Sequence, residues 1–191
     1  MWAAVAYLPI RSATLEVAPT FLEVFRANRA YAWRALRYFG VADSDLDDAC
    51  QEVFLVVHRD LAGFDGEAKL STWIYAICLR TAATFRRRRA RAVARELERA
   101  PQASQTDGTP HDALERAEAR RTLQAMLDEL DDDKRAVFVL HEIEQLPMAE
   151  IAGIVSVPLQ TGYSRLRAAR EQMAAAAKRA RARTKNEREG T

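Results

Sequence analysis

The sequence predicts an all-α protein: two small helical domains joined by a flexible linker, the second a helix-turn-helix domain. Three observations carry this. Ala, Leu, Arg and Glu dominate, while the 191 residues include only 7 Gly and 6 Pro, a composition that favours helices over sheets. Apolar residues recur at helical spacing over most of the length, and no stretch alternates at period two. One segment, Pro101–Pro110, has no apolar period and is rich in helix breakers, so it divides the chain.

Taken in order, residues 1–19 are mildly apolar but lack a basic start and an unbroken apolar run. They read as an N-terminal extension rather than a signal peptide. The first domain, 20–95, opens with a helix from about Thr20 to Phe39, stopped by Gly40. A second helix follows the Asp43–Ser44–Asp45 cluster, which offers N-caps and complements the helix dipole. Its core stripe is Leu46, Cys50, Val53, Val57 and Leu61. After the loop Gly63–Ser71, Ser71 or Thr72 caps a third helix reaching about Arg89, with Trp73, Ile74, Ile77, Cys78 and Phe85 on its apolar face.

The linker takes residues 96–112, and the second domain residues 113–183. An amphipathic helix, about Asp112–Leu130, uses Leu114, Ala117, Leu123, Met126, Leu127 and Leu130. Asp131–Asp133 cap a helix over Lys134–Gln145. A short helix (Ala149–Val155), a turn (Ser156–Pro158) and a long helix from Leu159 to Arg183 complete the domain. Residues 184–191 are expected to fray.

The net charge of +2 conceals segregation. Gly40–Leu70 carries eight acids against two bases, Arg86–Ala100 seven arginines against two acids, and Arg165–Thr191 nine bases against three acids. Such blocks suggest partners of opposite polarity, with solvated helix faces as the plain alternative. No apolar run approaches the roughly 20 residues that span a bilayer, so membrane insertion is not expected. Cys50 and Cys78 fall in predicted helices without ligand-spaced neighbours and read as buried reduced thiols, which suits a cytoplasm. The run His141-Glu142-Ile143-Glu144-Gln145 echoes His-Glu-x-x-His, but Gln145 removes the second zinc ligand. With no phosphate loop or nucleophile elbow, no enzyme, metal site or cofactor is expected.

Three segments carry the chemistry. In Met148–Arg170, small Ala152 lets two helices approach, Ile151, Val155 and Val157 plug the gap, and Pro158 stops the first helix and starts the second. The second helix then presents Gln160, Thr161, Tyr163, Ser164, Arg167 and Arg170, the amides, hydroxyls and guanidinium groups that suit a DNA major groove. A purely structural helical hairpin would show some of the same pattern. On the second helix, Asp48, Glu52, Leu55 and Arg59 form a stripe opposite the core face, with Gln51 beside it. An exposed leucine among acids suits docking to a basic partner helix, against a merely solvated face. Finally, Phe64–Thr72 leads into Trp73, and Arg86–Arg89 closes that helix. Four consecutive arginines point around the whole helix and suit a phosphate backbone. The loop suits an extruded base, although Trp73 also fits the core.

Together these segments resemble the extracytoplasmic-function (ECF) group of sigma-70 factors, over about Thr20–Arg89 (region 2) and Leu114–Met173 (region 4). Asp47-Asp48-Ala49-Cys50-Gln51-Glu52-Val53-Phe54 is similar to the polymerase-binding motif. Phe64-Asp65-Gly66 through Ser71-Thr72-Trp73-Ile74-Tyr75 is similar to the −10 loop and helix. Ile151-Ala152 through Val157-Pro158, Thr161, Ser164-Arg165-Leu166 and Arg170 resembles the −35 reader. The resemblance implies core RNA polymerase binding through Asp47, Asp48, Gln51, Glu52 and Leu55. It implies −10 recognition and melting through Phe64, Lys69, Ser71, Thr72, Trp73, Arg80, Thr84, Arg87 and Arg88, and −35 contacts through Gln160, Thr161, Tyr163, Ser164, Arg165, Arg167 and Arg170. It also implies an anti-sigma partner. The rival reading is a helix-turn-helix regulator acting without polymerase. The chain departs from the family at Arg80 (usually Asn), Thr84 (usually Asp), Ser156 (usually Gly), Gly162 (usually apolar) and Tyr163 (commonly basic), and Asp131-Asp132 replaces a Leu-Pro pair. Gly162 is expected to cost helix propensity and one core contact.

Overall fold

Helix α1 (Phe21–Tyr38) starts where Thr20 serves it in both directions. The Thr20 hydroxyl accepts from the Glu23 N–H, and the Thr20 N–H donates to the Glu23 carboxylate at 2.8 Å, a reciprocal cap for two otherwise orphaned donors. The helix stops at Gly40, whose φ of +87° carries the chain into a turn closed by the Val41 N–H on the Leu36 carbonyl. Any Cβ at Gly40 would strain that backbone and collide with the Arg135 guanidinium.

The computed structural model describes residues 19–66, 68–97 and 111–189, with side chains excepted at 95–97, 111–117 and 183–189. Residues 1–18 of the expected extension, the Pro101–Pro110 segment and the side chains of Leu114 and Ala117 lie outside the described residues. Every regular element among those described is helical: α2 (Leu46–Asp60), α3 (Leu70–Leu97), α4 (His111–Asp128), α5 (Asp132–Phe138), α6 (Met148–Ile154) and α7 (Leu159–Glu189).

Several local expectations need correction. Residues 43–45 form a 3₁₀ turn and supply no side-chain cap to α2. Asp43 and Asp45 instead pair with Arg37 (3.4 Å) and Arg89 (3.7 Å). Helix α3 starts at Leu70, ahead of the expected caps at Ser71 or Thr72, and runs past Arg89. The helix expected over Lys134–Gln145 gives way after Phe138 to a wide π turn at Val139–Ile143. Pro158 does not stop α6. That helix ends at Ile154 and the chain reverses through Ser156, at φ +54°, where an L-residue is strained. Helix α7 continues beyond the expected end at Arg183.

Helices α1, α2 and α3 pack around Leu36, Val53, Val57 and Ile74, all fully buried, and α4 to α7 around Leu127, Leu140, Ile151 and Ala169. Burying each large aliphatic side chain contributes about 1.5–3 kcal/mol before entropy is counted. Cys50 and Cys78 are buried, and burial pushes both thiols up, so they stay protonated and unreactive. The two bundles also meet along α3 and α6.

The Asp131-Asp132 departure has a local cause. Asp131 caps α5, accepting from the Lys134 N–H at 2.9 Å while its other oxygen holds Lys134 Nζ at 2.7 Å. The Lys134 side chain, then its backbone N–H, keep the Asp131 carboxyl below the usual aspartate range. Replacing Asp131 by Ala is expected to lower stability by about 1 kcal/mol at neutral pH, measured by urea unfolding. Because the folded value is depressed, the cap stabilises above the ordinary aspartate value and is lost as pH falls through the depressed one. The gap between wild type and D131A should therefore close in acid.

Candidate nucleic-acid interface

In α7 the residues Leu166, Ala169, Met173 and Ala176 are buried at spacings of three and four. That stripe turns Gln160, Ser164, Arg167 and Arg170 outward, with Tyr163 half exposed and Thr161 intermediate. The hairpin with α6 closes on Ile151 and on Met148, which the sequence reading missed, while Val155 and Val157 are only partly buried. Gly162 is the reason: a Cβ there would lie 2.8 Å from Met148 Sδ. The thioether occupies the space that an apolar residue at 162 would need, so the core contact expected to be lost is supplied from the opposite helix. A large flexible residue facing a glycine was the available signal.

Three arginines near the start of this helix each have an acid. Arg167 Nε lies 3.1 Å from Glu171, Arg170 Nη2 lies 2.6 Å from Glu142, and Arg165 is bonded to Asp133. Pairs this exposed contribute about 0–1 kcal/mol, so exchange for phosphate oxygens costs little. The π turn makes the Glu142 contact possible. Its widened register turns Glu142 toward α7 and Glu144 toward α1 and α3. Arg170 holds the Glu142 carboxyl below its usual range, whereas burial pushes that of Glu144 up.

On α3, Arg80, Arg87 and Arg88 are exposed and Thr84 is intermediate, its hydroxyl bonded to the Arg80 carbonyl. Arg86 departs from the phosphate role expected for the run. It turns inward, donates to the Phe39 carbonyl at 2.8 Å and pairs with Asp132 of the second bundle. At the head of the helix the rings of Phe64 and Trp73 lie 5.2 Å apart, both partly buried, and Ser71 is likewise of intermediate exposure. Thr72 is only 7% exposed and donates to Glu150 of α6 at 2.8 Å, and Lys69 lies 3.9 Å from the same carboxylate. Thr72 is therefore closed off in this arrangement.

The acidic α2 face meets the basic α3 face only where Glu52 pairs with Arg88. Asp47, Asp48 and Gln51 are exposed, and Leu55 is 62% exposed. Glu52 is half-buried and ion-paired to Arg88 at 3.7 Å, so it is less open than its neighbours. Among the described residues no helix is long and apolar enough to cross a membrane, and no group of three or more His, Cys, Asp or Glu could hold a metal ion.

Two family models match the chain. Residues 24–92 match the family model for sigma-70 region 2, and residues 120–173 that for sigma-70 region 4. The chain is 29% identical over 160 residues to the ECF RNA polymerase sigma-E factor of Haemophilus influenzae, covering 80% of this chain and 84% of that protein. It is likewise 29% identical over 158 residues to the sigma-E factor of Escherichia coli K12, at 78% and 82% coverage. Among solved structures it is similar to the sigma factor RpoE of Bartonella quintana, crystallised with the anti-sigma factor NepR (TM-score 0.67, 16% identity, 83% and 96% coverage). It is also similar to CnrH in complex with the cytosolic domain of CnrY (TM-score 0.60, 22% identity, 81% and 85% coverage). At these identities the two structures speak for the fold.

Gly162→Leu is expected to destabilise the second bundle by about 1–3 kcal/mol through overpacking against Met148. Pairing it with Met148→Ala should recover part of that loss. Thermal unfolding of the single and double variants measures both.

Proposed function

The chain belongs to the extracytoplasmic-function group of the sigma-70 family, and from that premise we propose how its surfaces divide the work of binding core RNA polymerase and directing promoter recognition and initiation. A sigma factor supplies binding energy rather than catalysis, and the chain is not an enzyme. The observation that carries the division is the exposed Leu55 within the acidic α2 face. An exposed large aliphatic flanked by acids suits a basic helix of the polymerase, with charge guiding approach and the leucine anchoring contact. A regulator that bound DNA alone would have no use for this face.

On this reading residues 20–95 form the region 2 domain and 113–183 the region 4 domain, with 96–112 as linker, 1–19 as an extension and 184–191 as a tail. Asp47, Asp48, Gln51, Glu52 and Leu55 dock on polymerase. Phe64, Lys69, Ser71, Thr72, Trp73, Arg80, Thr84, Arg87 and Arg88 hold the −10 strand. Melting is then captured binding energy, since bases held at the Phe64–Trp73 pocket and phosphates on the arginines offset the few kcal/mol of each unstacked step. The −35 element falls to Gln160, Thr161, Tyr163, Ser164, Arg165, Arg167 and Arg170. The chain works in the cytoplasm, where promoter and polymerase are, without inserting into a membrane. An anti-sigma protein holds it in reserve, as the NepR complex of its Bartonella relative suggests.

Run-off transcription with purified core polymerase on genomic fragments should yield specific start sites, and their absence would refute the reading. Leu55→Ala, at a solvent-exposed position, should leave folding intact and weaken core-polymerase binding about ten-fold or more, the size of an interface hot spot. Equal affinity in a titration against core would remove polymerase docking from α2. Arg167→Ala should weaken promoter binding across sequences and lower the slope of log K against log salt by about one.

A further inference from the structure

The outward face of α7 carries two rows of side chains. One is polar: Gln160, Ser164 and Arg167, at helical spacing and all exposed. The other begins apolar, with Leu159 and then Tyr163 one turn on, and ends at Arg170. Leu159 is 48% exposed and Tyr163 50%, and neither joins the hydrophobic core that takes Leu166, Ala169 and Met173 of the same helix. One exposed leucine on a protein surface needs no explanation. Two large apolar side chains stacked a turn apart, on the leading turns of the helix that the hairpin presents, do need one.

Their surroundings indicate what covers them. Between Leu159 and Arg170 the helix carries Arg165, Arg167 and Arg170 and has no acid, so a polyanion suits this face. In the major groove the apolar group on a base edge is the C5 methyl of thymine, and every A·T pair exposes one. Residues four apart on a helix differ by about 6 Å along its axis, close to two base-pair steps of about 3.4 Å. Leu159 and Tyr163 can therefore cover two methyls at once when the start of α7 leads into the groove. The polar row fits the same base pairs. The Ser164 hydroxyl donates to the Gln160 carbonyl at 3.0 Å, which leaves a lone pair to accept from an adenine amino group. A glutamine amide such as that of Gln160 pairs with the adenine edge.

We propose that Leu159 and Tyr163 form an apolar subsite for thymine methyl groups, so that A·T pairs under the first two turns of α7 help to determine −35 choice. The subsite rests on the reading of α7 as the −35 reader and adds Leu159 to it. Discrimination at these positions comes from burying a methyl group rather than from a hydrogen bond.

The test uses holoenzyme assembled from the full chain and core polymerase, on a promoter located by run-off transcription. Each thymine on either strand of the −35 element is replaced singly by deoxyuridine, which removes the methyl and keeps every hydrogen-bonding group. Wild type should bind about three- to five-fold more weakly at one or two positions, the effect of leaving one methyl uncovered. Thymines outside the element should show no such effect. Leu159→Ala should be indifferent to deoxyuridine at one of these positions, and L159A/Y163A at all of them. Both side chains are exposed, so thermal unfolding should match wild type, and the wild-type series needs no variant. A −35 element without an A·T pair would overturn the subsite. So would a wild type indifferent to every deoxyuridine, or Leu159→Ala keeping wild-type sensitivity at every position. Specific starts in the same assay would leave the sigma-factor reading standing. Absence of specific starts with wild type would overturn that reading, and the subsite with it.

Discussion

Burial of Cys50, Val53 and Val57 between α1 and α3 is the constraint on which the surfaces of the first bundle depend. A helix has one apolar stripe to hide, and hiding it determines which residues face water. Once that stripe is packed, Asp48 and Leu55 have no direction left but outward, and Leu55 becomes an exposed aliphatic among acids. The same packing sets the roll of α3. With Ile74, Ile77 and Cys78 inward, Arg80, Arg87 and Arg88 face solvent on a surface of opposite sign. One core thus presents an acidic face and a basic one, and a molecule that must hold both a protein and a nucleic acid needs that separation.

The second bundle solves a tighter problem. Its helix-turn-helix lacks the glycine that a left-handed turn favours and carries one where an apolar plug is usual. Ser156 takes the positive φ at a local cost, and Met148 fills the space above Gly162. The hairpin is therefore closed from its first helix rather than its second, which leaves the outward face of α7 unburdened by packing. The arginines on that face are held by acids of moderate exposure. Such pairs preserve side-chain direction while remaining exchangeable.

Where the bundles meet, the chain uses its acids differently. The π turn sends Glu142 to its own bundle and Glu144 across to the other, because a widened turn alters the angular step between neighbouring residues. Buried, Glu144 becomes a weaker acid, whereas Glu142 under Arg170 becomes a stronger one. Gly40 serves both levels at once, ending α1 and leaving room for Arg135 from the second bundle.

Much of the fold was legible because it rests on local patterns. The all-helical class, the stripes of α2 and α3, the stop at Gly40 and the exposed Leu55 follow from spacing and composition, and the family resemblance followed from the order of three motifs. Helix caps were less legible. Asp43–Asp45 and Ser71–Thr72 looked like caps, but arginines and Glu150 from elsewhere in the chain captured those side chains. Nothing local marks Arg86 as the inward member of four identical neighbours, nor Thr72 as buried. By itself, the sequence determined which helices form and which face each one buries, because helical period and side-chain hydrophobicity act over a few residues. Only the tertiary structure decided which polar residues remain open, because ion pairs and hydrogen bonds between residues 69 to 86 and 132 to 150 depend on how separate helices come together.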